Sequence, residues 1–308
     1  MQIIKSNPAF EVLRERTQNY FSRSDLHFSS DSHLCFVCGA GGETLPDSTE
    51  RSLRSLYVEH VRASIDEKIV CVRAEAAVTE FSRQLEERGI NISEFEKTIA
   101  ETVDSILIFP ESPGSFAELG YFSADISIAK KILVAVKQQH QSGSFLMLGP
   151  IRLISKNSIF GPIPIALGQI PETQMQVISE RLIGESKRKR PYKRRFELKK
   201  WKDYSRQETL CILDEIVDLA EVITEPDLLQ LVLDIFGYYD ATQIRLQLAL
   251  LTATDRVLRN DFGDIFARKR SNGLIGISNK MERLALCAKW HEFYQVHMPE
   301  ALEELARL

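Results

Sequence analysis

The chain has 308 residues, of which 44% are hydrophobic and 27% charged, and its net charge is −4. This length predicts two domains, and the composition is typical of a soluble protein with a sizeable core. No apolar run approaches the ~18 residues that a membrane span needs, which excludes a membrane-spanning protein.

The N-terminal residues and the cysteines predict a cytoplasmic protein. Residues 1–7 lack the apolar core of an export signal. The five cysteines are an odd number, which favours reduced thiols. Cys35 and Cys38 have the C-x-x-C spacing, but no second Cys/His pair lies nearby. We therefore expect them to be buried strand residues, and we predict no metal site.

Short apolar runs alternate with helical patterns over the first half of the chain. We predict strands at residues 34–38, 69–72, 106–109 and 132–136. We predict helices at residues 10–21, 53–61, 75–88, 93–103, 115–128 and 173–182. This alternation predicts an α/β fold with a parallel, Rossmann-type sheet. Ligands of such sheets bind at the carboxyl ends of the strands, here residues 39–42, 73–75 and 110–118.

The second half of the chain is predicted to be mostly helical. Ten Lys or Arg residues and one Glu lie between Ser186 and Lys202. We therefore predict a first domain at 1–184, a basic linker at 185–204 and a second domain at 205–308. Helical patterns at 208–222, 227–236, 242–251 and 281–296, with a hairpin near 256–268, are compatible with a winged-helix-like domain.

The basic run predicts contact with nucleic acid, although a solvated linker is the plainer alternative. Lys and Arg neutralise phosphates, and the interleaved Tyr192, Phe196 and Trp201 could stack on unpaired bases. The predicted nucleic-acid contacts are Lys187, Arg188, Lys189, Arg190, Lys193, Arg194, Arg195, Lys199 and Lys200. Six further basic residues could extend this surface, namely Arg245, Arg256, Arg259, Arg268, Lys269 and Arg270.

The segment FPESPGSFAELG at residues 109–120 carries the strongest functional signal. A buried strand, a Pro-Gly turn and a helix start form a place where backbone N–H groups can hold hydroxyls or phosphate. Glu118 would face the same pocket. A carboxylate there can stabilise the oxocarbenium-like state of N-glycosidic cleavage or attack the sugar. Ser115 and Glu118 also fit a capping box, so a catalyst and a helix cap are both open.

Other residues near these strand ends are candidate substrate contacts, each with a structural alternative. The glycines after the first strand can admit a ribose or phosphate, or only form a turn. Neither a dinucleotide fingerprint nor a P-loop lysine is present, and no histidine pairing suggests a catalytic triad. The acids can contact the sugar or base, or lie at helix ends and turns. The predicted contacts are Gly39, Gly41, Gly42, Glu75, Asp104, Glu111, Ser112, Gly114 and Ser115.

The motif around Glu118 also carries a resemblance to known families. It resembles the P-x-G-[ST]-x-x-E-[IL]-G element of nucleoside 2-deoxyribosyltransferases, and the resemblance implies that Glu118 is the nucleophile. ILIFPESPGSFAELG at 106–120, followed by GPIRL at 149–153, is similar to the toxic effectors of bacterial retrons. Those effectors pair a deoxyribosyltransferase-like N-glycosidase domain with a winged-helix domain. The likeness covers roughly residues 33–155.

One position departs from the transferase motif. The transferases place an acid two residues before the motif glycine, where it contacts the base. This chain has Ser112 at that position and Glu111 one step earlier. The departure puts nucleobase recognition and transferase activity in doubt.

The resemblance implies a toxic effector of a retron anti-phage defence system. It would hydrolyse the N-glycosidic bond of NAD or a related nucleotide without a cofactor, since nicotinamide leaves as a neutral molecule and needs no strong acid. Its implied partners are the retron reverse transcriptase and the multicopy single-stranded DNA (msDNA), which hold it inactive, and a higher-order assembly is open. The alternatives are a deoxyribosyltransferase or hydrolase of nucleotide metabolism, and a nucleotide-sensing DNA-binding regulator without turnover.

Overall fold

A computed structural model shows a chain that forms two compact units. The central unit comprises Asp31–Tyr192, and the terminal unit comprises Met1–Ser30 together with Lys193–Leu308. The predicted boundaries differ from this division, because the described parts of residues 7–29 and 194–204 belong to the terminal unit. The structure describes residues 7–23, 25–29, 32–45, 50–64, 68–75, 91–137, 144–165, 172–189, 194–260, 265–269 and 273–307.

The elements are numbered along the chain. The N-terminal segment contains α1 (Pro8–Phe21) and β1 (Leu26–Phe28). The central unit contains β2 (His33–Cys38), α2 (Leu53–Ala63), β3 (Ile69–Val72), α3 (Ile92–Thr102), β4 (Ser105–Ile108), α4 (Pro113–Ser123), α5 (Ile126–Ala129), β5 (Ile132–Lys137), a π-helix (Met147–Ile151), α6 (Arg152–Asn157), β6 (Ile163–Ile165) and α7 (Glu172–Lys189).

The rest of the terminal unit follows. It contains β7 (Arg194–Arg195), a 3₁₀-helix (Trp201–Asp203), α8 (Arg206–Ala220), β8 (Val222–Thr224), α9 (Glu225–Phe236), α10 (Ala241–Ala253), β9 (Val257–Arg259), β10 (Ile265–Arg268), β11 (Ile275–Ile277), α11 (Lys280–His297) and α12 (Pro299–Arg307). The helix predicted at 75–88 lies almost entirely outside the described residues.

A five-stranded parallel sheet forms the core of the central unit. Its strand order is β3-β2-β4-β5-β6. Every residue of β2 and β4 is buried, because helices cover both faces of a parallel sheet and its strands are therefore continuously apolar. Tyr57, Phe109 and Ile178 belong to the core that packs against it. The predicted α/β class and the four predicted strands are confirmed, and Cys35 and Cys38 are buried in β2 as expected.

Two helices begin earlier than their sequence patterns predict. The N-cap of α4 is Ser112, whose side chain accepts a hydrogen bond from the backbone N–H of Ser115. The N-cap of α3 is Asn91, whose side chain accepts from the N–H of Ser93. The capping-box alternative for Ser115 and Glu118 is therefore wrong. Glu118 and Glu96 lie beyond the first residues of their helices and are available for other roles.

The terminal unit contains two small antiparallel sheets. The strand order of the first sheet is β8-β10-β9. Along the chain, its three strands lie between α8 and α11. The hairpin predicted near residues 256–268 is confirmed, because β9 and β10 pair with Leu258 opposite Ala267. The second sheet has the order β11-β1-β7 and joins the N-terminal segment to this unit. Gly276 lies directly against His27 there, where a Cβ would be 2.5 Å from the imidazole Nε2.

A buried ion pair links α8 to the β9–β10 hairpin. The Arg256 guanidinium donates from Nε and from a terminal nitrogen to the two carboxylate oxygens of Asp214, both at 2.9 Å. Both side chains are almost fully buried. Asp214 also accepts the backbone N–H of Leu274 at 3.1 Å. Removal of one member of such a pair leaves the other charge buried without its partner.

We expect Asp214→Ala to lower the free energy of unfolding of the terminal unit by about 3–5 kcal/mol. Urea denaturation followed by tryptophan fluorescence measures this directly, because Trp201 and Trp290 are the chain's two tryptophans and both belong to this unit. Glu292→Gln, at the exposed Lys289–Glu292 pair, is the control and should leave the transition unchanged. A loss below about 1 kcal/mol for Asp214→Ala would contradict the assigned role of the pair.

Candidate active site

The carboxylate of Glu111 joins the loops that follow two neighbouring strands. It lies after β4 and accepts the backbone N–H groups of Ala40 at 3.2 Å, Leu53 at 2.8 Å and Arg54 at 3.2 Å. Ala40 follows β2, and Leu53 and Arg54 open α2. A carboxylate is stabilised at this position by the helix dipole and by the otherwise unpaired N–H groups. Glu111 was a predicted substrate contact, but the backbone of the protein occupies its oxygens.

The glycine loop after β2 packs closely against α2. A Cβ at Gly39 would lie 2.6 Å from Cβ of Arg54 and 2.9 Å from Oε1 of Glu111, so only glycine fits. The carbonyl of Gly42 accepts the hydroxyl of Ser52 at 3.0 Å. At Gly41 a Cβ would meet Oε1 of Glu75 alone among the described residues, at an ordinary 3.6 Å. Packing therefore explains Gly39, and the predicted substrate contacts at Gly41 and Gly42 stay predictions.

The two predicted serine contacts are used to cap α4. The Ser115 hydroxyl oxygen accepts the N–H groups of Glu111 at 3.0 Å and Ser112 at 2.9 Å. The hydroxyl of Ser112 caps the N–H of Ser115 in return. Both serines are buried. They fix the start of the helix, and their contact with a substrate stays a prediction, as does that of Gly114, which is exposed in the first turn.

Glu118 lies on the second turn of α4, beyond the reach of the cap. One of its carboxylate oxygens, Oε2, is buried and has no hydrogen-bond partner among the described residues. A buried polar oxygen without a partner is unfavourable, and in native proteins it often marks a functional position. The cap alternative for Glu118 is therefore wrong, while its catalytic role stays a prediction.

The environment of Glu118 favours its neutral form. Burial, and after it the charges of Glu96 and Glu75, raise the pKa of this carboxyl to about 8. Arg54 and the thiol of Cys38 act in the opposite direction. Burial also raises the pKa of the Cys38 thiol well above its ordinary value, and the charge of Glu118 adds to this. The cluster therefore contains a carboxyl that titrates near neutral pH, which is the range that acid–base and nucleophilic chemistry requires.

Arg54 and Glu96 belong to this cluster but were not predicted from the sequence. Arg54 is almost fully buried, and a terminal guanidinium nitrogen lies 2.7 Å from Oε1 of Glu75. Burial and the charge of Glu75 raise the pKa of Glu96. Glu96 stands three and four residues before the buried Ile99 and Ala100, so an acid on an apolar helix face was the available signal. Glu75, a predicted contact, is brought into the cluster.

Asp104 lies away from this cluster. It precedes β4 and therefore stands at the amino edge of the sheet, opposite to the edge where α4 begins. Its Oδ2 accepts the backbone N–H of Leu34 at 2.8 Å. Asp104 therefore anchors the start of two strands, and its position does not favour the predicted contact with the leaving base.

The basic run is divided between the two units. Lys187, Arg188 and Lys189 are in the last turn of α7, while Arg190, Tyr192 and Lys193 lie outside the described residues. The described side chains of Arg194, Arg195, Lys199 and Lys200 are exposed.

The aromatic residues of this run are in the core. Phe196 is buried and stacks on Tyr204 with ring centroids 6.0 Å apart. Trp201 packs edge-on against Phe236 at 5.7 Å. The prediction that these two rings stack on bases is therefore wrong.

Most of the proposed extension of the basic surface is neutralised within the terminal unit. Arg256 is buried against Asp214. The other ion pairs are Arg245 with Glu225 at 2.6 Å, Arg268 with Glu221 at 3.2 Å and Lys269 with Asp255 at 3.0 Å. Arg259 lies over the ring of Phe266, and Arg270 is outside the described residues. Basic side chains that already form ion pairs with acidic residues contribute little to phosphate binding.

Neither a metal centre nor a membrane helix is found in the described parts of the chain. No three His, Cys, Asp or Glu residues come together there to hold a metal ion. No helix among them is both long enough and apolar enough to cross a membrane.

Comparisons with known proteins connect this site to retrons. A family model described as "STM3845 retron effector protein" matches residues 50–259, more than half of the chain. The Escherichia coli "Retron Ec86 putative ribosyltransferase/DNA-binding protein" is 45% identical over 62 residues, which are 20% of each chain. The "Retron Ec73 putative ribosyltransferase/DNA-binding protein" of the same species is 28% identical over 124 residues, which are 40% of this chain and 38% of that one. The matched segments thus span less than half of either relative.

We expect Glu118→Gln to stabilise the central unit at high pH only. Between the ordinary pKa of 4.5 and the folded value of about 8, the folded protein holds a proton that the unfolded chain has released. The contribution of Glu118 to stability therefore falls as pH rises through this window. The glutamine cannot ionise. The free energy of unfolding of the variant should therefore exceed that of the wild type by about 1–3 kcal/mol near pH 8.5 and equal it near pH 4.5.

Hydrogen exchange of the β2 and β4 amides, compared between variant and wild type at the same pH, measures this gain. Glu94→Gln, an exposed position on α3, is the control and should show no pH-dependent difference. An equal difference for Glu118→Gln at both pH values would contradict the raised pKa.

Proposed function

The chain belongs to the STM3845 retron effector protein family, and we propose that it is the toxic effector of a retron anti-phage defence system. In this proposal the central unit hydrolyses the N-glycosidic bond of NAD or a related nucleotide. The observation that carries the proposal is the carboxylate of Glu118 at the carboxyl edge of a parallel sheet. One of its oxygens is buried without a hydrogen-bond partner among the described residues, and Glu118 takes no part in capping α4. The two curated relatives are named as ribosyltransferases, which supports chemistry at a ribose C1′.

Glu118 would act at the ribose carbon. In NAD the C1′–N bond breaks with its electron pair staying on the pyridine nitrogen, so nicotinamide leaves neutral. The ionised carboxylate either stabilises the oxocarbenium-like sugar or forms an ester with C1′. Water then supplies the oxygen at C1′ and releases a proton, and any ester is cleaved to regenerate the carboxylate. The products are nicotinamide, ADP-ribose and one proton.

Two features favour hydrolysis over transfer to a second base. Ser112 stands where the transferases have an acid, and it caps α4. Glu111, the nearest acid, accepts three backbone N–H groups. No carboxylate at these two positions is left to orient an acceptor base, so water is the proposed acceptor.

The terminal unit is proposed to bind the partners of the effector. The order α8, β8, α9, α10, β9, β10 with a β8-β10-β9 sheet supports a winged-helix assignment. The helix α10, at the position of a recognition helix, is buried over most of its length. Insertion of α10 into a DNA groove is therefore not favoured, and the exposed Arg195, Lys199 and Lys200 are the proposed phosphate contacts.

The proposed partners are the retron reverse transcriptase and its msDNA, which would hold the enzyme inactive in the cytoplasm. Disruption of this complex by a phage protein would release the toxin. The names of both relatives include DNA binding, which supports a nucleic-acid partner.

Expression of the full chain alone tests the enzymatic proposal. The wild type should arrest growth and deplete NAD, with nicotinamide and ADP-ribose rising together in mass spectrometry. Glu118→Gln should abolish all three effects, because glutamine neither carries the negative charge nor attacks C1′. Glu94→Gln is the matched control and should behave as wild type. Growth arrest with constant NAD would point to another nucleotide. NAD loss that persists in Glu118→Gln would overturn the catalytic role of Glu118. Constant growth and constant NAD with both proteins would favour the sensor alternative.

A second test concerns the basic surface. Lys199→Gln with Lys200→Gln should weaken binding to single-stranded DNA equally for all sequences, because phosphate contacts carry no base information. The slope of log affinity against log salt should fall by about 1.4, from two lost contacts. Fluorescence anisotropy with labelled oligonucleotides measures both. The exposed pair Lys280→Gln with Lys289→Gln is the control. Equal slopes for the two double variants would argue against this surface.

A further inference from the structure

The small sheet β11-β1-β7 has one face packed on the core of the terminal unit and one face directed away from it. Leu26 of β1 and Ile275 of β11 are buried. Phe28 of β1 contacts the buried Phe196, with ring centroids 5.6 Å apart. Side chains alternate between the two faces along a strand. His27, which lies between Leu26 and Phe28, therefore projects to the outer face.

The outer face carries a row of three residues that are direct cross-strand partners. His27 is opposite Arg195 of β7 on one side and opposite Gly276 of β11 on the other. Residues directly opposite in antiparallel strands project to the same face. Arg195 is exposed and His27 is half-buried. An arginine and an imidazole therefore stand next to each other on this face.

Gly276 allows the imidazole of His27 to lie flat on the sheet. A Cβ at residue 276 would be 2.5 Å from Nε2, 2.8 Å from Cε1 and 3.2 Å from Cδ2 of the ring. An edge-on approach through Nε2 would leave both carbons clearly farther away than the nitrogen, so one face of the ring covers the glycine. Nδ1 lies 3.5 Å from the backbone carbonyl oxygen of Asp25, which can accept its hydrogen. The second face of the ring is directed away from the sheet.

We propose that this face binds an unpaired base of a single-stranded nucleic acid, which stacks on the His27 ring while Arg195 contacts the adjoining phosphate. The inference rests on the proposed nucleic-acid partner of the terminal unit and names the group that the surface recognises. Phe196 and Trp201, the described rings of the basic run, are in the core, whereas the His27 ring lies beside an exposed arginine.

Stacking explains which strand such a surface prefers. Every base has a π-face, so a flat aromatic side chain accepts any base and selects for no sequence. A base inside a duplex is already stacked on its neighbours, whereas an unpaired base can turn out onto the protein. The ring and the arginine together therefore favour single strands, which phosphate contacts alone do not do.

The charges of this face limit the contact to a short stretch of strand. Asp25, two residues before His27, is paired with Arg23 at 2.8 Å. Glu197, two residues after Arg195, is exposed. Because an acid at that position repels a phosphate, we expect one phosphate at Arg195 beside one stacked base, and no continuous basic track on this face.

Two oligonucleotides that differ only in their bases test the inference. The full-length chain made by cell-free synthesis is titrated with labelled oligodeoxythymidylate and with an abasic strand of the same length, and fluorescence anisotropy reports binding. The wild type should bind the intact strand at least about fivefold more tightly. His27→Ala should remove this preference and leave the affinity for the abasic strand within about twofold. The affinity for oligouridylate of the same length then identifies the strand as RNA or DNA.

Three further variants separate stacking from a loss of folding. His27→Phe should keep the preference, because phenylalanine retains a flat ring. Gly276→Ala should lower the preference although the histidine is unchanged, because the added methyl group would displace the ring. His297→Ala, on α11 of the same unit, is the control and should behave as wild type. Circular dichroism melting confirms that each variant is folded.

The outcomes separate the inference from the proposed function. Equal affinity of the wild type for the intact and abasic strands would overturn the inference and leave the nucleic-acid partner standing. A preference for the intact strand that persists in His27→Ala would also overturn the inference. Failure of the wild type to bind either strand would overturn both the proposed nucleic-acid partner and the inference, while the proposed cleavage at Glu118 would stand.

Discussion

The carboxylate of Glu111 holds together the two loops on which the candidate site depends. Its three backbone hydrogen bonds connect the segment after β4 with the glycine loop and with the start of α2. Gly39 is required at this junction because a side chain there would meet both Arg54 and Glu111. Through this link, the helix that carries Glu118 and the helix that carries Arg54 have a defined relation. A rigid scaffold of this kind is what a catalytic carboxylate needs.

The carboxyl cluster is unfavourable for folding and useful for chemistry. Burial and two neighbouring acids raise the pKa of Glu118 to about 8, so its charged form is costly in the free protein. A rigid parallel sheet with continuously apolar strands supplies the stability that tolerates this cost. Groups that are unsatisfied without a ligand are available to interact with one.

The terminal unit uses its charged and aromatic residues mainly to stabilise itself. Arg256 is buried against Asp214. Phe196 and Trp201 fill the core where a basic run would suggest stacking platforms. Its described surface keeps exposed basic side chains such as Arg195, Lys199 and Lys200. These can neutralise phosphates, a contact that carries no base information.

The sequence by itself determined the features that depend on neighbours along the chain. Apolar runs predicted the strands, because a parallel sheet buries both faces of each strand, and two short segments joined by residues 261–263 predicted the β9–β10 hairpin. The motif around Glu118 led to the candidate carboxylate. Tertiary structure decided the rest, because it depends on residues far apart in sequence. It brought Arg54 and Glu96 to Glu118, tied Glu111 to α2, moved Asp104 to the opposite edge and joined residues 1–30 to the terminal unit. Even the starts of α3 and α4 shifted, because several residues competed to cap each helix and local pattern could not rank them.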